Sequence, residues 1–330
     1  MDANVFYPIL ILILYVVEEL YILIAERCGI VGCPIERSSH NKPTIIGGGI
    51  ITWVSMLVYL STHATLWQSY GLFFAGLTLI GVISFIDDVR EVSISKRLII
   101  HFVSIIMLLF QWGIIGETPW WYVLAVTIVA IGTINAYNFM DGVNGMTAGY
   151  STIVLLLLTY INQYVLSTPF VDAGLLHSAT LSVLVFSFYN FRNSPRCFAG
   201  DVGAISIAFI IVFFVGRLIL QTGNYAYITL LLVYGVDSIL TIIHRILLHK
   251  NITQAHRMHL YQIMANELGI KHIYVSMLYA ILQALIGIGL LLIPASWGYY
   301  YFIITLAVLC IVYVIFMRRY FPPQDKSDQQ

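Results

Sequence analysis

Tyr70-Gly-Leu-Phe-Phe-Ala-Gly-Leu-Thr-Leu-Ile-Gly-Val-Ile-Ser-Phe-Ile86 carries no charged residue and then ends on Asp87-Asp88-Val89-Arg90. A hydrocarbon core is crossed by roughly 17–25 apolar residues in a helix. The stretch therefore reads as a membrane helix that delivers two carboxylates to the surface. Working outward, the same pattern recurs, with eleven apolar runs near 5–24, 45–62, 70–86, 98–115, 119–136, 148–167, 174–190, 202–220, 225–247, 273–293 and 297–317. Only 10% of the 330 residues are charged and 60% are apolar, whereas soluble domains carry about 25% charged residues. The expected fold is all-α: a polytopic membrane helix bundle of about 11 transmembrane helices, one domain over residues 1–330. A net charge of zero gives no reason to expect nucleic acid as a partner.

The basic residues orient the bundle. Arg27, Arg37 and Lys42 follow the first run; Arg90, Lys96 and Arg97 follow the third; Arg192 and Arg196 follow the seventh. Arg245, Lys250, Arg257 and Lys271 follow the ninth, and Arg318, Arg319 and Lys326 the eleventh, so Arg217 alone lies on the other side. Cytoplasmic loops collect Lys and Arg, which places the N-terminus outside and the C-terminus in the cytoplasm. The first run follows Met1-Asp2-Ala3-Asn4, with no basic segment before it, and reads as an anchor rather than a removable signal. Cys28, Cys33 and Cys197 fall on the reducing side, and Cys310 within a helix.

The loops on that face hold the chemistry. The first has His40, Lys42 and then Gly47-Gly48-Gly49, suited either to an anion close to the backbone or to tight helix packing. In the second, adjacent Asp87 and Asp88 repel unless a cation offsets them. Mg²⁺ takes one or two carboxylates plus phosphates; solvated acids at a helix end are the plain alternative. The third reads Asn135-Ala-Tyr-Asn138-Phe-Met-Asp141-Gly142-Val-Asn144-Gly145. Asn135, Asn138 and Asp141 share one helical stripe, and polar groups at a membrane edge need partners. In the fourth, Asp201 stands between Gly200 and Val202-Gly203, as a helix cap or a metal ligand. The ninth run carries Asp237, Thr241 and Arg245 at i, i+4 and i+8, facing inward, with an internal Asp237–Arg245 pair as the plain alternative. Beyond it, Gln254-Ala-His256-Arg257-Met-His259 suits a diphosphate or an anionic lipid surface.

In order and placement these motifs resemble those of the polyprenyl-phosphate N-acetylhexosamine-1-phosphate transferases, the glycosyl transferases that start bacterial surface polysaccharides and peptidoglycan. The resemblance runs from the Pro43-Thr44 and glycine stretch to the His256 loop, and the form of that loop is closest to the O-antigen and capsule branch. It implies Mg²⁺ (with Mn²⁺ as a substitute) at Asp87, Asp88 and Asp201, which then form the catalytic and metal set. It also implies that Lys96 stands near the phosphates, that Asn138, Asp141 and Asn144 stand near the nucleotide, and that His256 and His259 belong to the histidine motif. With Lys42, Asn135, Gly142, Arg245 and Arg257 added from their placement, these complete the expected substrate contacts. The chain departs from the family at Asn144, where a second acid is usual, and at Tyr261-Gln262, where two histidines are usual.

The function so implied is transfer of a sugar 1-phosphate from a UDP-N-acetylhexosamine to undecaprenyl phosphate at the cytoplasmic face of the bacterial inner membrane, with release of UMP. A polytopic prenyltransferase would need paired Asp-rich motifs, and Asp141 and Asp201 stand singly. A transporter would place charges at mid-membrane, and Asp237 is the main residue of that kind. The apolar outer surface serves the lipid bilayer and a homodimer contact alike.

Overall fold

The structure is a computed structural model and describes residues 3–33, 42–251 and 256–320. Arg37, His40, Gln254 and Lys326, all named above, lie outside the described residues. The helices in chain order are α1 (Ala3–Cys28), α2 (Ile51–Thr62), α3 (Leu66–Val89), α4 (Ile94–Trp112), α5 (Trp120–Met140) and α6 (Met146–Tyr160), then α7 (Ala173–Asn190), α8 (Gly200–Thr222), α9 (Leu232–Leu247), the short α10 (Leu260–Gln262), α11 (His272–Leu292) and α12 (Gly298–Tyr320).

Each of the eleven apolar runs is helical, because in lipid every backbone N–H and C=O must be bonded within its own segment. Among the described residues, eight helices are long and apolar enough to cross a membrane, fewer than the eleven expected. The second run is shorter: it opens as strand Thr44–Ile45 and a 3₁₀ turn at Gly48–Ile50 before α2 begins. The sixth run ends in a π turn over Ile161–Val165, and the ninth is 3₁₀ over Tyr225–Leu231 before it becomes α9. The fold is also not purely helical. Val31–Gly32 (β1) pairs antiparallel with Thr44–Ile45 (β2), and Ile45 bridges to Cys197.

Helix α8 is the axle. It is apolar on every side, as a fully enclosed helix must be, and is buried from Val202 to Val215. Around it pack α2, α3, α4, α5 and α6. Phe73 of α3 stacks on Phe213 of α8 with ring centroids 4.1 Å apart. Gly76 admits Phe209, whose ring would lie 2.9 Å from any Cβ added there. The outer helices turn Leu12, Leu285 and Ile304 outward. One end of α8 thereby meets the ends of α3 and α5, which decides where the site forms.

Candidate active site

The first fixed point is the start of α8. Its leading N–H groups have no partner inside the helix, and Asp88 supplies one from the end of α3. Asp201 N–H donates to Asp88 Oδ1 at 2.8 Å and Val202 N–H to Oδ2 at 3.0 Å. Gly200 makes this approach feasible, with φ +69° and a would-be Cβ only 2.6 Å from Asp88 Oδ2. The glycine run serves the same junction. Gly48 N–H donates to Phe198 O (2.9 Å), and a Cβ on Gly49 would lie 2.3 Å from the Gly203 Cα. Of the two readings of these glycines, backbone packing is the one this geometry uses.

Asp88 thus has a structural role beside its expected one: each oxygen holds the helix terminus through one hydrogen bond and keeps a further lone-pair direction. Asp87 faces elsewhere: it accepts from Val92 N–H at 2.7 Å and pairs with Arg97. The same guanidinium reaches Asp201 at 3.0 Å. Arg97 thus spans the two carboxylates, whereas its neighbour Lys96 points to the exterior. Asn138 completes the group by facing the Asp201 carboxylate from α5. Among the described residues no three His, Cys, Asp or Glu side chains gather as a closed metal cage. Asp87 and Asp201 are a two-carboxylate set, which suits Mg²⁺ sharing its remaining positions with phosphate oxygens and water.

A cavity of about 1380 Å³ opens beside this cluster, lined at its polar end by Asp88, Asn135, Asn138, Asp141, Gly142, Asp201, Arg245, His256 and His259. Its other walls are apolar: Ile128 and Val129 on α5, Val236 and Ile239 on α9, Phe302 and Leu306 on α12. Asp141 lies just past α5, where burial, with Asp201 and Asp88 nearby, pushes its carboxyl up to about 8. Burial and the neighbouring His259 and Arg245 push His256 down to about 4. These surroundings favour the protonated carboxyl of Asp141 and the neutral ring of His256.

Four expected contacts do not line the cavity. Lys42 is exposed on the first loop, and Lys96 is exposed on α4. Asn144 is buried instead: its side-chain amide donates to Arg192 O (3.2 Å) and Asn193 O (3.3 Å), and its backbone carbonyl accepts from the Ser276 hydroxyl. It fastens a loop, because a buried amide this close to bare carbonyls satisfies them first. Arg257 is also outside the lining. The internal Asp237–Arg245 pair, the plain alternative for these residues, does not form. Asp237 binds Thr241, His259 and Tyr279, while Arg245 donates to Asn251 O.

Two contributors went unseen in the sequence. Arg97 and Lys96 are adjacent in the first turn of α4, and only the rotation of that helix selects between them. Asn190, at the end of α7, donates to Cys197 O (3.0 Å) and accepts from Gly145 N–H (2.8 Å), tying the third and fourth loops together. An isolated Asn gives no sequence signal for such a role.

Comparison with known proteins finds similar sequences of one kind. The sequence model of glycosyl transferase family 4 matches residues 70–219. A Bacillus subtilis protein named "Probable undecaprenyl-phosphate N-acetylglucosaminyl 1-phosphate transferase" is 24% identical over 271 residues, 72% of this chain and 70% of that one. A phospho-N-acetylmuramoyl-pentapeptide-transferase of Heliobacterium modesticaldum is 27% identical over 191 residues, 51% of this chain and 58% of its own. A Methanocaldococcus jannaschii protein with a glycosyltransferase name is 30% identical over 141 residues, 40% of this chain, and the match spans less than half, 43%, of that relative. The stretch that resembles glycosyl transferase family 4, residues 70–219, holds Asp87, Asp88, Asn138, Asp141 and Asp201.

Proposed function

We propose that the protein transfers an N-acetylhexosamine 1-phosphate from its UDP derivative to undecaprenyl phosphate, releasing UMP, at the cytoplasmic face of the bacterial inner membrane, as the first step of a surface polysaccharide such as O-antigen or capsule. The observation that carries this reading is the shape of the cavity. One end is acidic and hydrogen-bonding, while the other is an apolar wall between α5, α9 and α12. A nucleotide sugar fits the first end, and a lipid phosphate needs both. The names of the B. subtilis and H. modesticaldum relatives support it.

A lipid phosphate oxygen attacks the β-phosphorus of the donor. The bond from that phosphorus to the bridging oxygen breaks, and UMP leaves with the electron pair. One phosphoanhydride replaces another, so the protein's work is to bring two anions together and offset their repulsion. Mg²⁺, or Mn²⁺ in its place, would be held by Asp87 and Asp201 and would neutralise diphosphate oxygens. Arg97, released from those carboxylates, contributes a bidentate cation to the same oxygens. Asn135 and Asn138 stand where a donor can be oriented, and Asp88 keeps the α8 terminus in register beside them.

The test is UMP release by purified protein with undecaprenyl phosphate, Mg²⁺ and a panel of UDP-N-acetylhexosamines, beside Asp201→Asn. Release that requires lipid, metal and Asp201 is the expected result. Folded protein that is silent across the panel, or equally active after chelation, would reject the scheme.

A further inference from the structure

Asp237 and His259 form a pair that the transfer chemistry above leaves unassigned. Asp237 lies on the apolar α9 and is 3% exposed. Its two oxygens accept from Thr241 Oγ1 (3.1 Å), Tyr279 Oη (2.7 Å), Leu260 N–H (3.0 Å) and Tyr261 N–H (3.4 Å), and meet His259 Nδ1 at 3.4 Å. A carboxylate offers about four lone-pair directions, so all are engaged. A charge placed in a membrane helix is costly and seldom idle, and closing the turn at Leu260 needs only a neutral acceptor. What the carboxylate adds is a preference for the Nδ1–H form of His259. The other ring nitrogen, Nε2, is buried and has no hydrogen-bond partner among the described residues. His259 lines the cavity beside His256 and Arg245.

We propose that Asp237 is a positioning residue for donor capture: it fixes the His259 ring so that Nε2 faces the cavity and hydrogen-bonds the diphosphate of the bound nucleotide sugar. This rests on the reading of the cavity as a nucleotide-sugar site. Because Asp237 already holds Nδ1–H, Nε2 donates to an anionic oxygen only when the ring carries both protons, and the buried carboxylate is its counter-charge. The titratable groups facing the ring are Asp237, His256 (ring centroids 4.9 Å apart) and Tyr261 (5.8 Å), with Arg245 and Lys250 beyond His256.

The experiment measures UDP affinity, in Mg²⁺ and detergent, of the wild type, Asp237→Asn, His259→Gln and the double variant. Each single change is expected to weaken UDP by about tenfold or more, as for loss of a charge-assisted bond, and the double variant by no more than either single. A residue that merely closed the turn would give losses that multiply, and this outcome overturns the proposal, as does wild-type affinity in Asp237→Asn. A second measurement needs no folded Asp237 variant: the ¹⁵N histidine spectrum of the wild type, with the His259 signal identified by its loss in His259→Gln. Protonation at Nδ1 in the free protein and at both nitrogens with UDP is expected; an Nε2–H form in the free protein overturns the proposal. Wild-type protein that neither binds UDP nor releases UMP would reject the underlying site reading, whereas UDP binding with multiplying losses rejects the positioning role alone.

Discussion

Arg97 makes the difference between neighbouring residues measurable. Its guanidinium spans Asp87 and Asp201, while Lys96 faces outward. Arg97→Gln should lower the rate of UMP release about 100-fold or more, the scale of losing one preorganised charge donor, and Lys96→Gln should lower it by less than about threefold, as for an exposed charge. Equal losses would return the phosphate contact to Lys96. Asp141 supplies a second residue-scale prediction, in stability. Its carboxyl is raised from 3.8 to about 8 by burial, so across that window the folded protein holds a proton that the unfolded chain has lost. The contribution is complete below about 3.8 and is lost as pH rises toward about 8. In metal-free protein, Asp141→Asn should therefore flatten the fall of melting temperature between these limits; an unchanged slope would contradict the burial argument.

Between elements, glycines do two opposite jobs. Gly49 and Gly203 let the first loop lie directly on α8, with no room for a Cβ. Gly132 on α5 and Gly235 on α9 line the apolar part of the cavity, and a Cβ at either would meet nothing within 4 Å. Gly49→Ala should destabilise the fold by about 1–3 kcal/mol through overpacking, visible as a lowered melting temperature. Gly132→Leu and Gly235→Leu should leave the melting temperature unchanged or higher, since helical Gly costs about 1 kcal/mol. They should instead raise the KM for the lipid acceptor. Displacing two methylenes at about 0.8 kcal/mol each weakens a bound chain about tenfold. An unaltered lipid KM in both would move the acceptor away from this groove.

At the scale of the whole molecule, the orientation inferred from basic loops can be read with thiol chemistry. Cys28 and Cys33 are exposed, while Cys197 is buried and its thiol is pushed up by that burial. A membrane-impermeant thiol reagent should label Cys28 and Cys33 in inverted vesicles but not in intact cells, and should spare Cys197 in both; the reverse labelling would invert the topology. The sequence alone marked the chain as a predominantly helical membrane protein, because a long apolar run satisfies its backbone in lipid as a helix; of the eleven runs it expected to span, eight are long and apolar enough among the described residues. It also identified Asp87, Asp88, Asn138, Asp141, Asp201, His256 and His259 as polar residues gathered at helix ends, since charge beside an apolar run stands out without any model of packing. Only the tertiary structure decided the division of labour among them. Asp88 became a helix cap, Asn144 a loop fastener and Arg97, not Lys96, the bridging cation. Those outcomes depend on how each helix is rotated and how closely Gly47–Gly49 and Gly200–Gly203 let α8 approach. Rotation and approach are set by contacts between segments far apart in the chain, which no local pattern encodes.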